Sequence, residues 1–91
     1  MVSEIVTVTN KTGLHARPAN AFIKVALAQP CAIKIKKNDK LFNGKSIVNV
    51  LAASVKCGEE IELIAEGENE QRALDAVVAA VKSGLGESAG V

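Results

Sequence analysis

Tryptophan and tyrosine are absent from this 91-residue chain, and phenylalanine occurs only twice, as Phe22 and Phe42. That scarcity leaves no aromatic platform on which to stack bases, so the core must come mainly from Val, Ile, Leu and Ala. No long block of one charge occurs either: eleven basic against ten acidic residues give a net charge of +1. The electrostatic footprint of a nucleic-acid binder is missing. The longest uninterrupted apolar run, Ala76 to Val81, is far too short to cross a bilayer. The start, Met1-Val2-Ser3-Glu4, has neither the basic region nor the apolar run of a signal peptide. A cytoplasmic location without direct membrane insertion is expected. Cysteine is scarce, and Cys31 and Cys57 do not make a CxxC pair. Both are expected as free core or sheet thiols in a reducing compartment. A single histidine, with no carboxylate pair at ligand spacing nearby, argues against a metal site, and no cofactor is expected.

What is present is periodicity. Val6 and Val8 alternate with Thr7 and Thr9, which predicts a strand over 2–9. Ala19, Phe22, Ile23 and Ala26 fall on one face of a predicted helix over 16–28, with Pro18 in its first turn and Pro30 beyond its end. Ile33 and Ile35 alternate with Lys34 and Lys36 as a second strand, and Asn38-Asp39 is a turn signal before a short third strand at Leu41-Phe42. Ser46 is placed to N-cap a short helix within the apolar stretch from Ile47 to Val55, where Val50 and Ala53 are assigned to the core. Ile61, Leu63 and Ala65 mark a fourth strand. Asn69 is expected to cap a last helix with a stripe of Ala73, Leu74, Val77, Val78 and Val81, stopped by Gly84 and Gly86. The predicted order β-α-β-β-α-β-α, with half-polar strands and amphipathic helices, fits a two-layer α+β sandwich in one domain, 1–91. Residues 87–91 are expected to fray.

His15 falls where a Gly-containing loop meets a helix start. The first N–H groups of a helix lack intrahelical partners and attract anions. Arg17 adds a guanidinium fork suited to phosphate oxygens. An imidazole nucleophile beside such donors is equipped to accept and hold a phosphoryl group, since phosphoryl transfer needs mainly positioning and charge stabilisation. No G-x-S-x-G-like context supports a hydrolase. Read from the residues alone, a plain loop histidine stands beside the phosphate-related role.

The stretch Thr12-Gly13-Leu14-His15-Ala16-Arg17-Pro18-Ala19 resembles the active-site signature of HPr, the histidine-containing phosphocarrier family of the bacterial phosphoenolpyruvate:sugar phosphotransferase system. Gly44-Lys45-Ser46-Ile47 resembles the same family's regulatory serine region, and the likeness extends from Val2 to about Gly86. The resemblance implies an open-faced sandwich, a four-stranded antiparallel sheet with three helices on one face. It further implies that His15 is phosphorylated on Nδ1 by enzyme I and passes the group to enzyme IIA domains, with Arg17 as charge partner and Thr12 and Ala16 supporting the phosphate site. Such a protein is a monomeric carrier consumed and regenerated in stoichiometric steps, not an enzyme.

By the same resemblance Ser46 is a target of an ATP-dependent kinase and a phosphorylase, and a catabolite regulator joins the partners. Asn20, Lys24, Leu27, Lys45, Ile47, Val48 and Leu51 would form the docking surface together with Ala16. Asn20, Val48, Asn49 and Leu51 depart from the residues commonest in the family, which bears on partner choice and leaves His15 and Arg17 untouched. Three alternatives stand beside sugar transport: a purely regulatory protein of this fold acting through Ser46 and partner docking, against which the presence of His15 argues; a regulatory phosphorelay protein of the same family not dedicated to sugar uptake; and an RNA-binding α+β module disfavoured by the missing aromatics and near-neutral charge.

Overall fold

A computed structural model describes residues 1–85. Its elements are β1 (Val2–Thr7), α1 (Ala16–Leu27), β2 (Ala32–Lys37), β3 (Lys40–Asn43), α2 (Ile47–Ala52), β4 (Glu60–Glu66) and α3 (Glu70–Lys82). The order is the expected one; β1 ends two residues and α1 one residue before the predicted limits, and α2 ends at Ala52, three residues short of the apolar stretch's end at Val55. The expectations for Gly86 and for a frayed 87–91 lie outside the described residues.

One four-stranded antiparallel sheet runs in the order β1-β4-β2-β3. Because β1 and β2 each pair antiparallel with β4, they run parallel to one another with β4 between them, and α1 makes the crossover. The β2–β3 hairpin closes over Asn38-Asp39, both at positive φ (51° and 64°), the two-residue geometry that matches strand twist. Alternation decides the faces: Val6, Ile33, Ile35, Ile61, Leu63 and Ala65 are buried against the helices, while Ile5 and Leu41 point to the open side. Phe22 of α1, fully buried, fills the centre, with the α3 stripe of Ala73, Leu74, Val77, Val78 and Val81 packed over β1 and β4. In α2, Val50 and Ala53 enter the core as expected.

Three local expectations need correction. Asn69 is at the N-cap position of α3 but in the left-handed region (φ 54°), and its side chain makes no capping bond. Glu70 instead bonds back to the preceding turn, its Oε1 accepting from the Gly67 N–H at 3.1 Å. Cys31 is a buried free thiol, whereas Cys57 is exposed in the turn before β4, in neither core nor sheet. A thiol following Lys56 and preceding Gly58 has no alternating partner to pull it inward. Thr9 lies beyond β1, although Val8 still exchanges backbone bonds with Glu59 and Gly58, at 2.9 and 2.7 Å.

This connectivity brings two loops together at one end of the sheet. The chain leaving β1 toward α1 meets the chain leaving α2 toward β4: Leu14 N–H donates to the Val55 carbonyl at 2.9 Å. No described helix is long and apolar enough to cross a membrane.

Candidate functional site

His15 is the N-cap residue of α1, exposed, with extended backbone (φ −143°, ψ 152°) and no side-chain capping bond. No acidic residue occupies the first turn. Pro18, third in the helix, has no N–H to offer, so the amides of Ala16 and Arg17 remain at the open end. A negative group on the imidazole would therefore meet the positive end of a 12-residue helix with no acidic residue in its first turn.

The loop before His15 is tightly held. Leu14 is buried, and Asn10, fully buried, donates from Nδ2 to the Gly13 carbonyl while its backbone carbonyl accepts the Gly13 N–H at 3.0 Å. Gly13 sits at φ +65°, and an added Cβ would lie 2.2 Å from the Val55 carbonyl oxygen. Only glycine meets both demands. Ala16 also adopts a left-handed φ of 51°, which costs an alanine on the order of 1 kcal/mol. The buried anchors on either side, Leu14 and Pro18, hold the backbone in that conformation.

His15 opens onto a cavity of about 230 Å³ lined also by Thr12, Leu51, Ser54, Val55 and Lys56. Ser54 is another non-glycine residue at positive φ, 50°. Lys37 fixes this wall: its Nζ donates to the Ala53 and Ser54 carbonyls at 3.0 and 2.8 Å and pairs with Glu59 Oε1 at 3.0 Å. The same Glu59 oxygen accepts the Lys56 N–H at 2.7 Å. That amide first, and then the Lys37 ammonium, hold the Glu59 carboxyl below its ordinary range. A depressed carboxylate pKa adds stability in full above the unfolded value, about 4.3, and that stability is lost as pH falls through the lower folded value. Thermal melting across about pH 6 to 3 is expected to fall more steeply for the natural chain than for Glu59→Gln. Parallel curves would show that this carboxylate adds no stability to the wall.

The other expected site residues divide. Thr12 and Leu51 share the cavity with His15. Arg17 is exposed in the first turn of α1 and is not among the lining residues. Asn20, Lys24 and Leu27 are exposed on α1 at spacings of four and three, one stripe along the helix. On α2, Val48 is 72% exposed and Leu51 37%, Leu27 of α1 is 60% exposed, and Ile47 is half-buried against the core. Lys45 is half-buried, and its Nζ donates to the Gln29 carbonyl at 2.7 Å, tying the loop before α2 to the end of α1. Ser46 caps α2 as expected, its Oγ accepting from the Asn49 N–H at 3.3 Å. Asn10 and Lys56 carry no periodicity or motif of their own, and the sequence reading missed both. Only the spatial meeting of their loops singles them out.

Among the described residues, no group of three or more His, Cys, Asp or Glu side chains is arranged to hold a metal ion. Residues 2–83 match the family described as "PTS HPr component phosphorylation site". The HPr-like protein Crh of Bacillus subtilis is 42% identical over 82 residues, covering 90% of this chain and 96% of Crh. The phosphocarrier protein HPr of Pseudomonas aeruginosa is 37% identical over 83 residues, covering 90% of this chain and 92% of its own length. The crystal structure of HPr-C-His from Thermoanaerobacter tengcongensis superposes with a TM-score of 0.93 at 38% identity, covering 97% of this chain and 99% of that one. An exposed histidine at an uncapped helix start, on this fold and with these relatives, has one family in common: the chain belongs to the HPr phosphocarriers of the phosphotransferase system.

Proposed function

We propose that His15 accepts a phosphoryl group from phosphorylated enzyme I, itself charged by phosphoenolpyruvate, and donates it to enzyme IIA domains of sugar permeases. In each step a ring nitrogen of the receiving histidine, Nδ1 in this chain, attacks phosphorus. The new N–P bond forms as the donor's N–P bond breaks, and the electron pair of the broken bond returns to the donor ring. No oxidant, metal or organic cofactor enters the balance. The chain is recovered unchanged after the second transfer, which makes it a carrier rather than an enzyme. Its work is done in the cytoplasm, where phosphoenolpyruvate is available.

The observation that carries this reading is the exposed His15 ring at a helix start, where its own side chain makes no capping bond and no acidic residue occupies the first turn. Arg17, exposed two residues further along and free of ion pairs among the described residues, is available to the phosphate oxygens. The exposed apolar residues Leu27, Val48 and Leu51, flanked by Asn20 and Lys24, offer partners a docking surface next to the histidine. Incubation with enzyme I and phosphoenolpyruvate is expected to add one phosphate, labile in acid and stable in base, that a IIA domain then removes. An acid-stable adduct, or none, overturns the assignment.

The likeness to the HPr-like protein Crh favours a second reading, a regulatory phosphorelay role not dedicated to sugar uptake. The two part on which enzyme I phosphorylates the chain and whether a sugar-specific IIA domain accepts the group.

Ser46 is proposed as a regulatory phosphorylation site. Its hydroxyl is half-buried at the start of α2 and hydrogen-bonds to the N–H and Nδ2 of Asn49. Phosphate would bring a charge of about −1.5 to −2 beside the docking surface and repel acidic partners. With a matching kinase and ATP, mass spectrometry is expected to find one phosphate on the natural chain and none on Ser46→Ala. The same variant is expected to lose about 1 kcal/mol of stability with the cap. Equal modification of both chains removes the assignment.

A further inference from the structure

The geometry points to Lys56 as a second cationic arm of the phosphorylation site, binding the phosphoryl group on His15 from the α2–β4 loop while Arg17 approaches from α1. This inference rests on His15 being the phosphorylated residue.

Among the described residues that line the His15 cavity, Lys56 is the one cation, and no carboxylate lines it. The cavity, about 230 Å³, is large enough for a phosphoryl group with several waters. The backbone of Lys56 is placed firmly. A Cβ built on Gly13, two residues before His15, would lie 2.9 Å from the Lys56 Cα, so the two loops are in van der Waals contact. The Leu14–Val55 bond of 2.9 Å and the Lys56 N–H bond to Glu59 of 2.7 Å pin it from both sides.

The Lys56 ammonium feels the Glu59 carboxylate through space, as the last of the effects that lower that carboxyl, and makes no short contact with it. Glu59, its near acid, is engaged with the Lys37 ammonium and the Lys56 amide, and no ion pair among the described residues uses the Lys56 side chain. Lys56 is exposed, so its flexible four-carbon stem is free to turn toward the imidazole. A lysine acts there as a mobile point charge, whereas the arginine fork fixes orientation. The two cations are therefore not duplicates: one orients the group, the other follows its charge during transfer.

The test bypasses enzyme I. Phosphoramidate gives up its phosphoryl group to the imidazole as ammonia leaves, and 31P NMR then follows the second ionisation of the phosphohistidine against pH. A unit charge at about 6 Å in water-like surroundings favours the dianion roughly threefold, about half a pH unit. Lys56→Met is expected to titrate higher by that amount, Lys56→Arg to restore the natural curve, and Lys34→Met, on the open face of the sheet, to leave it unmoved. Coincident curves for the natural chain and Lys56→Met would overturn the role of Lys56 while leaving the carrier reading intact. A natural chain that takes phosphate from neither phosphoramidate nor enzyme I removes both.

Discussion

His15→Ala is expected to fold like the natural chain and to take up no phosphate from enzyme I and phosphoenolpyruvate. The two halves of that result have separate causes. The imidazole is exposed and makes no capping bond, so its removal strips no packing and leaves no buried donor unmet. Surface changes of that kind stay within about 0.5 kcal/mol. The nucleophile, however, is irreplaceable, because this is the one histidine of the chain. Arg17→Glu gives the graded counterpart. Losing a charge-assisted contact to phosphate costs about 1.5–3 kcal/mol, and the reversed charge adds repulsion, so a loss of about a hundredfold in the phosphorylation rate is expected. Stopped-time assays with enzyme I, read by mass spectrometry and paired with thermal melts, check both variants. Residual phosphate on His15→Ala would move the site elsewhere, and an Arg17→Glu chain as fast as the natural one would remove the guanidinium from the mechanism.

Gly13→Ala is the second large effect, and here fold and function are expected to fail together. The glycine lies at φ +65°, and its added methyl would stand 2.2 Å from the Val55 carbonyl oxygen, backbone that has no rotamer to move aside. The conformational penalty is about 1 kcal/mol and the forced displacement adds about 1–3 more, so a loss of about 2–4 kcal/mol is expected in denaturant unfolding. The displaced wall is the one that carries Lys56 and faces His15, so transfer is expected to slow by more than the unfolded fraction explains. Gly58→Ala is the control. Gly58 also has positive φ (+91°), but nothing lies within 4 Å of its built Cβ, so only the conformational part applies. Equal losses for the two variants would show that the close approach at Gly13 is relieved cheaply.

Much of this site was legible because short-range rules governed it. The alternation around Val6 and Ile33, the positive-φ turn at Asn38-Asp39, the Ser46 cap and the burial of Val50 and Ala53 each depend on neighbours a few residues away. The His15 loop was read the same way, from a helix start and its flanking Gly13, Arg17 and Pro18. Asn69 shows the limit of such rules. A favourable capping residue was present, but the chain enters α3 with that residue left-handed, and the adjacent Glu70 answers Gly67 instead. Lys45 and Cys57 show a second limit: the hydrogen-bond partner of one is Gln29, sixteen residues away, and the other is exposed, against expectation, because of where its turn lies on the fold.

The sequence by itself determined the element order and the faces of strands and helices, and singled out His15 as the candidate nucleophile, because periodicity and capping are local properties of the chain. Tertiary structure decided the strand order β1-β4-β2-β3, and with it the meeting of residues 10–15 with residues 53–59. Insertion of β4 between β1 and β2 is a non-local pairing whose register no neighbouring residue encodes. That pairing gives Asn10, Lys37, Glu59 and Lys56 their places around His15.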